Sequence, residues 1–138
     1  MIVVDTNVIA YLHLPGDYTA AAREALRLDP DWSAPLLWRS EFRSVLFSYI
    51  RGEGLSTDDA VRLARMAESL LAGREHILDT AAVLSLASGV RCSAYDCEFV
   101  ALAQALDVPL VTTDAVILQE FSDRAVGLEE FAGKNQKS

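Results

Sequence analysis

The sequence predicts an α/β fold, a small parallel β-sheet flanked by helices on both faces. Short apolar runs alternate with helical stretches, the pattern of strand–helix–strand units. The helices outweigh the strands. Two aspartates, Asp5 and Asp114, close apolar strand candidates, at the strand ends where open parallel sheets place their sites.

The elements follow in chain order. Ile2-Val3-Val4 is a β-branched run that suits a buried strand. Asp5-Thr6-Asn7 can cap a helix over 8–12, and Pro15-Gly16 breaks the chain. Residues 18–28, rich in Ala, Leu and Arg, read as a helix that Pro30 ends. Trp32-Ser33-Ala34 is a second short strand, with Pro35 opening the next helix. That helix, 36–51, has the clearest periodicity, because Trp38, Phe42, Val45 and Tyr49 share one face. Gly52 and Gly54 end it. Ser56-Thr57-Asp58-Asp59 starts another that runs to about Ala72. Further helices are predicted over 79–87, closed by Gly89, and over 93–105. Residues 109–112 form a strand, 115–121 a helix and 125–128 a last strand. A single domain over 1–132 is expected, followed by a frayed tail, 133–138.

Composition narrows the function. The 138 residues are 51% hydrophobic and 23% charged, enough for one self-sufficient core without a metal or disulfide staple. No apolar run approaches a membrane span, and structure is predicted from residue 2, so a soluble, cytoplasmic protein is expected. A net charge of -8 argues against gripping nucleic acid by the overall field, though not against a local basic groove. The only lysines are Lys134 and Lys137, so a P-loop and a Schiff-base lysine inside the fold are excluded. Cys92 and Cys97 have no histidine at a zinc-ligand spacing and read as ordinary, partly buried thiols.

Four carboxylates stand at informative places. Asp5 and Asp114 suit helix capping as well as a site at strand ends. Asp96 sits in Ser93-x-x-Asp96, which matches a capping box, and one of its oxygens could still face a cleft. Glu41 lies about 60° from Trp38 on the helical wheel, toward the apolar stripe. A carboxylate there needs a partner, which Arg43, Arg91 or a metal ion shared with the aspartates could supply. If the four converge they require a cation, and an all-oxygen site suits Mg²⁺ or Mn²⁺ better than zinc. Such a site is equipped for phosphoryl chemistry and lets an acidic protein hold a polyanion.

With these residues in view, the sequence resembles a PIN domain, and specifically a VapC-type toxin ribonuclease. The resemblance runs from Ile2 to about Phe131. It rests on Val4-Asp5-Thr6-Asn7-Val8, on Glu41 within an apolar helix, on Tyr95-Asp96 followed by Phe99-Val100-Ala101-Leu102-Ala103, and on Leu110-Val111-Thr112-Thr113-Asp114. It implies a PIN-like fold and a Mg²⁺- or Mn²⁺-dependent endoribonuclease, with Asp5, Glu41, Asp96 and Asp114 as the catalytic acidic cluster. Asp5, Asp96 and Asp114 correspond to metal-binding positions, and Asn7 and Thr112 to polar positions that support the site. It further implies an RNA substrate, a VapB-type antitoxin whose C-terminal segment obstructs the site, a homodimer, and contact with DNA only through the antitoxin.

Glu98 is expected as a helix-surface charge. Arg39, Arg43, Arg51 and Arg91 are candidate RNA contacts by sequence neighbourhood. Leu36, Leu37, Leu46 and Ile50, which lie beyond the main stripe of their helix, are candidates for self-association or antitoxin contact. Two other functions compete. A phosphatase of the haloacid dehalogenase kind would want an aspartate where Asn7 stands, and a lysine. A non-catalytic binding module of PIN shape should lack part of the acidic set.

Overall fold

The computed structural model describes residues 1–133. β1 (Ile2–Val4) is wholly buried, as its β-branched run suggests. α1 (Thr6–His13) is longer than predicted, because Asp5 accepts the Thr6 N–H and starts the helix there. α2 (Thr19–Leu28) follows the Pro15-Gly16 break. β2 (Trp32–Pro35) absorbs Pro35, which was expected to open a helix. Ala34 and Leu36 donate to β3 carbonyls or the residue before them, while Pro35 lies past the last β1–β2 pair, so its missing N–H costs no ladder bond.

α3 (Trp38–Gly52) carries the predicted apolar stripe, with Trp38, Phe42 and Leu46 buried. α4 (Thr57–Leu70) starts on Ser56, whose hydroxyl accepts the Asp59 N–H. β3 (Glu75–His76) was not predicted, since two residues are too few to carry an alternation. α5 (Thr80–Ala87) is capped by Asp79, and α6 (Ala94–Leu106) by Ser93. β4 (Leu110–Thr112), α7 (Ala115–Glu120) and β5 (Ala125–Gly127) agree with expectation. Leu128, expected in the last strand, instead begins α8 (Leu128–Gly133) and is buried. Gly133, expected in the frayed tail, ends that helix; 134–138 lie outside the described residues.

The five strands form one all-parallel sheet in the order β3-β2-β1-β4-β5. The predicted α/β class with a small parallel sheet is borne out. α1 packs against α2, α3 and α4, α3 against α4, and α8 against α2. α5 packs against α6, and α6 lies on β1, β2 and β4. That position explains why α6 buries nearly every residue from Cys97 to Ala103. From β1 the chain winds outward to β2 and β3, then crosses back to β4 on the other side of β1. The strand order therefore reverses between β1 and β4. Crevices beyond the carboxyl ends of such strands are where open α/β sheets hold ligands.

Candidate active site

Asp5 and Asp114 stand at that reversal, just past the ends of β1 and β4, where Val4 pairs with Val111. α3 brings Glu41 and α6 brings Asp96 to the same place. The four line one cleft of about 280 Å³ together with Thr6, Asn7, Ser44 and Val45. Asp5 is 7% exposed. Its Oδ1 accepts the Thr6 N–H at 2.8 Å and its Oδ2 the Thr112 hydroxyl at 2.6 Å. Glu41 is half-buried, and its Oε1 accepts the Thr6 hydroxyl at 2.7 Å. Asp114 caps α7, with Oδ1 accepting from both Val116 and Ile117. Asp96 leaves its cap to the Ser93 hydroxyl, so its carboxylate stays outside the capping bonds.

Capping and the shared cleft are thus compatible. Each cap or hydroxyl holds one oxygen, and Glu41 Oε2, Asp114 Oδ2 and both Asp96 oxygens have no hydrogen-bond donor among the described residues. The electrostatics run against ionisation. Burial pushes the Asp5 carboxyl up to about 6, against the Thr112 and Thr6 hydrogen bonds that lower it, and the charges of Glu41 and Asp96 raise it further. Burial also raises Glu41, the Thr6 bond opposes this, and Asp96 adds to it. No lysine or arginine lines the cleft.

Among the described residues no three His, Cys, Asp or Glu side chains are gathered closely enough to hold a metal ion unaided. The donor set still has the chemistry of a hard-cation site. Its charged groups are all carboxylates, with several oxygens unengaged, in a cleft whose like charges a divalent cation would offset. Mg²⁺ characteristically takes one or two carboxylates and keeps water in the rest of its shell.

Thr112 is fully buried and holds Asp5 directly, while its oxygen also accepts the Asp114 N–H at 3.0 Å. Asn7 is exposed on the cleft wall. Thr6 and Ser44 were not singled out from the sequence as cleft residues. Ser44 could have been, standing three residues from Glu41 on one helix. Thr6 could not, because its bond to Glu41 spans 35 positions.

The proposed arginine partners of Glu41 are corrected. Arg91 pairs with Glu120 and Gln119, and Arg43 lines a groove between α3 and α4. Of the other candidate RNA contacts, Arg39 is held by Glu75 and Arg51 lies over the Phe47 ring at 4.2 Å. Glu98 is not a plain surface charge. It is half-buried in an adjoining groove, where burial and then Glu41 raise its pKa. Cys92 and Cys97 are buried free thiols. Burial pushes Cys92 up to about 11 and raises Cys97, so both stay protonated at neutral pH.

Comparison with known proteins agrees with this fold. The fold is similar to that of FitAcB from Neisseria gonorrhoeae, with a TM-score of 0.73 at 20% identity, covering 93% of this chain and 98% of that one. No curated protein matches the chain. The family model of the PIN domain matches residues 2–122, nearly the whole length, and the chain belongs to the PIN domain family.

Proposed function

We propose that this protein is a Mg²⁺- or Mn²⁺-dependent endoribonuclease, the toxin of a toxin–antitoxin pair, working as one PIN domain over residues 1–132. The observation that carries the reading is the single cleft lined by Asp5, Glu41, Asp96 and Asp114, drawn from four separate stretches of chain. Asp5, Asp96 and Asp114 hold the cation. Bound there, Mg²⁺ or Mn²⁺ supplies a Lewis acid that offsets the charge on the phosphodiester and acidifies a water. The protein's own contribution is positional. Thr112 and the Thr6 N–H hold Asp5, the α7 cap orients Asp114, and Thr6 fixes one oxygen of Glu41. The free oxygen of Glu41, on a carboxyl whose pKa is raised, accepts the proton of the attacking water. Asn7 supports the cleft wall.

The partners belong to the same reading: RNA as substrate, a VapB-type antitoxin covering the cleft, a homodimer, and DNA only through the antitoxin. Two apolar surfaces support protein partners. One groove, about 310 Å³, lies between α3 and α4, bordered by exposed Phe47 and Val61. Another, about 520 Å³, is bordered by exposed Leu36, Ile77 and Leu84. Of the apolar candidates from the sequence, Leu46 is core, Leu37 and Ile50 are half-buried, and only Leu36 is exposed. Among the described residues no helix is long and apolar enough to cross a membrane, and a cytoplasmic location fits a toxin acting on RNA.

The test is cleavage of single-stranded RNA by the purified chain in Mg²⁺ or Mn²⁺, with and without chelator. Cleavage abolished by chelator and by Asp5→Asn is expected. Cleavage unchanged in excess chelator overturns the metal mechanism. No cleavage of any RNA favours the non-catalytic binding module.

A further inference from the structure

Beside the acidic cleft lies a second pocket of about 250 Å³ that the ribonuclease reading leaves unused. Three tyrosines border it. Tyr11 and Tyr18 are stacked, with ring centroids 4.7 Å apart at 29°, and Tyr49 reaches in from α3. Tyr18 is 38% exposed. Asn7 and Val45 line both this pocket and the acidic cleft, so the two adjoin. The Tyr11 hydroxyl is hydrogen-bonded to that of Thr113 at 3.1 Å, which ties the aromatic stack to the residue beside Asp114. Asn7 and Tyr11 are four positions apart on α1, about 6 Å along its axis, so the pocket begins one helical turn from the carboxylates.

We propose that this pocket is a nucleobase subsite, which stacks the base of the nucleotide next to the phosphate held in the acidic cleft. It deepens the ribonuclease reading and rests on it. The lining excludes a backbone phosphate, since it has no lysine or arginine and one carboxylate, Asp17, which makes no ion pair or side-chain hydrogen bond among the described residues. A planar, neutral base is what tyrosines and an acceptor receive. Single-stranded RNA is held in this way, by aromatic stacking and hydrogen bonds to base edges, and a chain so short of local cations has more need of stacking. Asp17 accepts hydrogen bonds only. It therefore favours guanine, whose N1–H and N2–H donors can meet two carboxylate oxygens together, over uracil, which presents a single N–H.

Two measurements test this apart from the activity itself. The first is titration of the metal-free protein with guanosine and uridine, followed by tyrosine fluorescence and NMR shifts. Guanosine binding at least several-fold tighter than uridine is expected, weakened roughly tenfold in Tyr18→Leu, the loss of about one stacked base. Asp17→Asn should reduce the preference for guanosine and keep the stacking. The second is mapping of cleavage ends on a randomised single-stranded RNA in Mn²⁺. The parent should favour guanine at one position flanking the cut, and Asp17→Asn should flatten that preference. No nucleoside binding by the parent overturns the proposal, whatever the RNA result. RNA cleavage whose base preference is the same in Tyr18→Leu and Asp17→Asn overturns it and leaves the ribonuclease reading standing. Nucleoside binding lost in Tyr18→Leu, in a protein that cuts no RNA, supports the pocket and removes the nuclease. Tyr18→Phe keeps the ring and should bind guanosine as tightly as the parent, which assigns the effect to the aromatic ring rather than to the hydroxyl; weakening equal to that in Tyr18→Leu overturns the stacking.

Discussion

Thr112 joins Asp5, 107 positions away in sequence, to Asp114, two positions away. Its hydroxyl donates to Asp5 Oδ2 at 2.6 Å, and the same oxygen accepts the Asp114 N–H at 3.0 Å. Both bonds are made away from water, because Thr112 is fully buried. One strand residue thus sets the spacing of two carboxylates that neighbouring strands present.

Replacing Thr112 by Val keeps the shape and β-branching and removes both bonds. The Asp114 N–H and one Asp5 oxygen lose their partner, so a loss of about 1–3 kcal/mol is expected by denaturant unfolding. With its lowering bond gone, the Asp5 carboxyl should titrate at still higher pH, as read by carboxyl NMR shifts against pH. Equal stability in parent and variant would show that the two bonds contribute nothing net.

The raised Asp5 carboxyl sets a pH dependence in chelator. Its folded value of about 6 exceeds the ordinary 3.8, so the folded state keeps a proton that the unfolded chain releases. That contribution is complete below about pH 4 and is lost as pH rises through 6. At about 1.4 kcal/mol per pKa unit the loss is about 3 kcal/mol. The difference in stability between parent and Asp5→Asn should therefore move in favour of the variant from pH 4 to 8. A difference constant across that range would be contrary to expectation.

Metal linkage separates a shared site from independent caps. Millimolar Mn²⁺ at 100 times its dissociation constant should stabilise the parent by about 2.7 kcal/mol. Asp114→Asn keeps the α7 cap, since Asn caps as well as Asp. In chelator it should be as stable as the parent or more so, and it should lose most of the Mn²⁺ shift, as should Asp5→Asn. Thermal unfolding midpoints that ignore the metal in all three proteins would point to caps alone.

The edge strand β3 depends on side chains of α3. Glu75 accepts from Trp38 Nε1 at 2.8 Å and takes both the Nε and a terminal nitrogen of Arg39. The Arg39 guanidinium, and then Trp38, hold the Glu75 carboxyl below its usual range. Glu75→Gln keeps an acceptor and loses the charged fork, so a cost of about 1 kcal/mol is expected in urea unfolding. Hydrogen exchange should show earlier opening of the Ala34 and Leu36 amides, which are bonded to the β3 side. Unchanged exchange at both would mean that the strand pairs without this anchor.

How much was readable beforehand differs by element. The hydrophobic pattern of 36–51 and the β-branched run at 2–4 act locally, so the sequence alone determined these elements and the α/β class they build. It also marked Asp5, Glu41, Asp96 and Asp114 as carboxylates in unusual places, because an acidic side chain beside an apolar stripe or at a strand end is legible from its neighbours. Tertiary structure decided what they meet. β3 and α8 are short segments held by pairing and packing, with no period of their own to read. Of the candidate arginines, Arg91 went to Glu120 rather than to Glu41, Arg39 to Glu75 and Arg51 to the Phe47 ring, choices set by distances that only the folded chain creates. The Thr6 bond to Glu41 and the Thr112 bonds to Asp5 and Asp114 likewise depend on β1 lying between β2 and β4. Strand order is a non-local property, fixed by which buried faces pack together, and the cleft exists because that order reverses between β1 and β4.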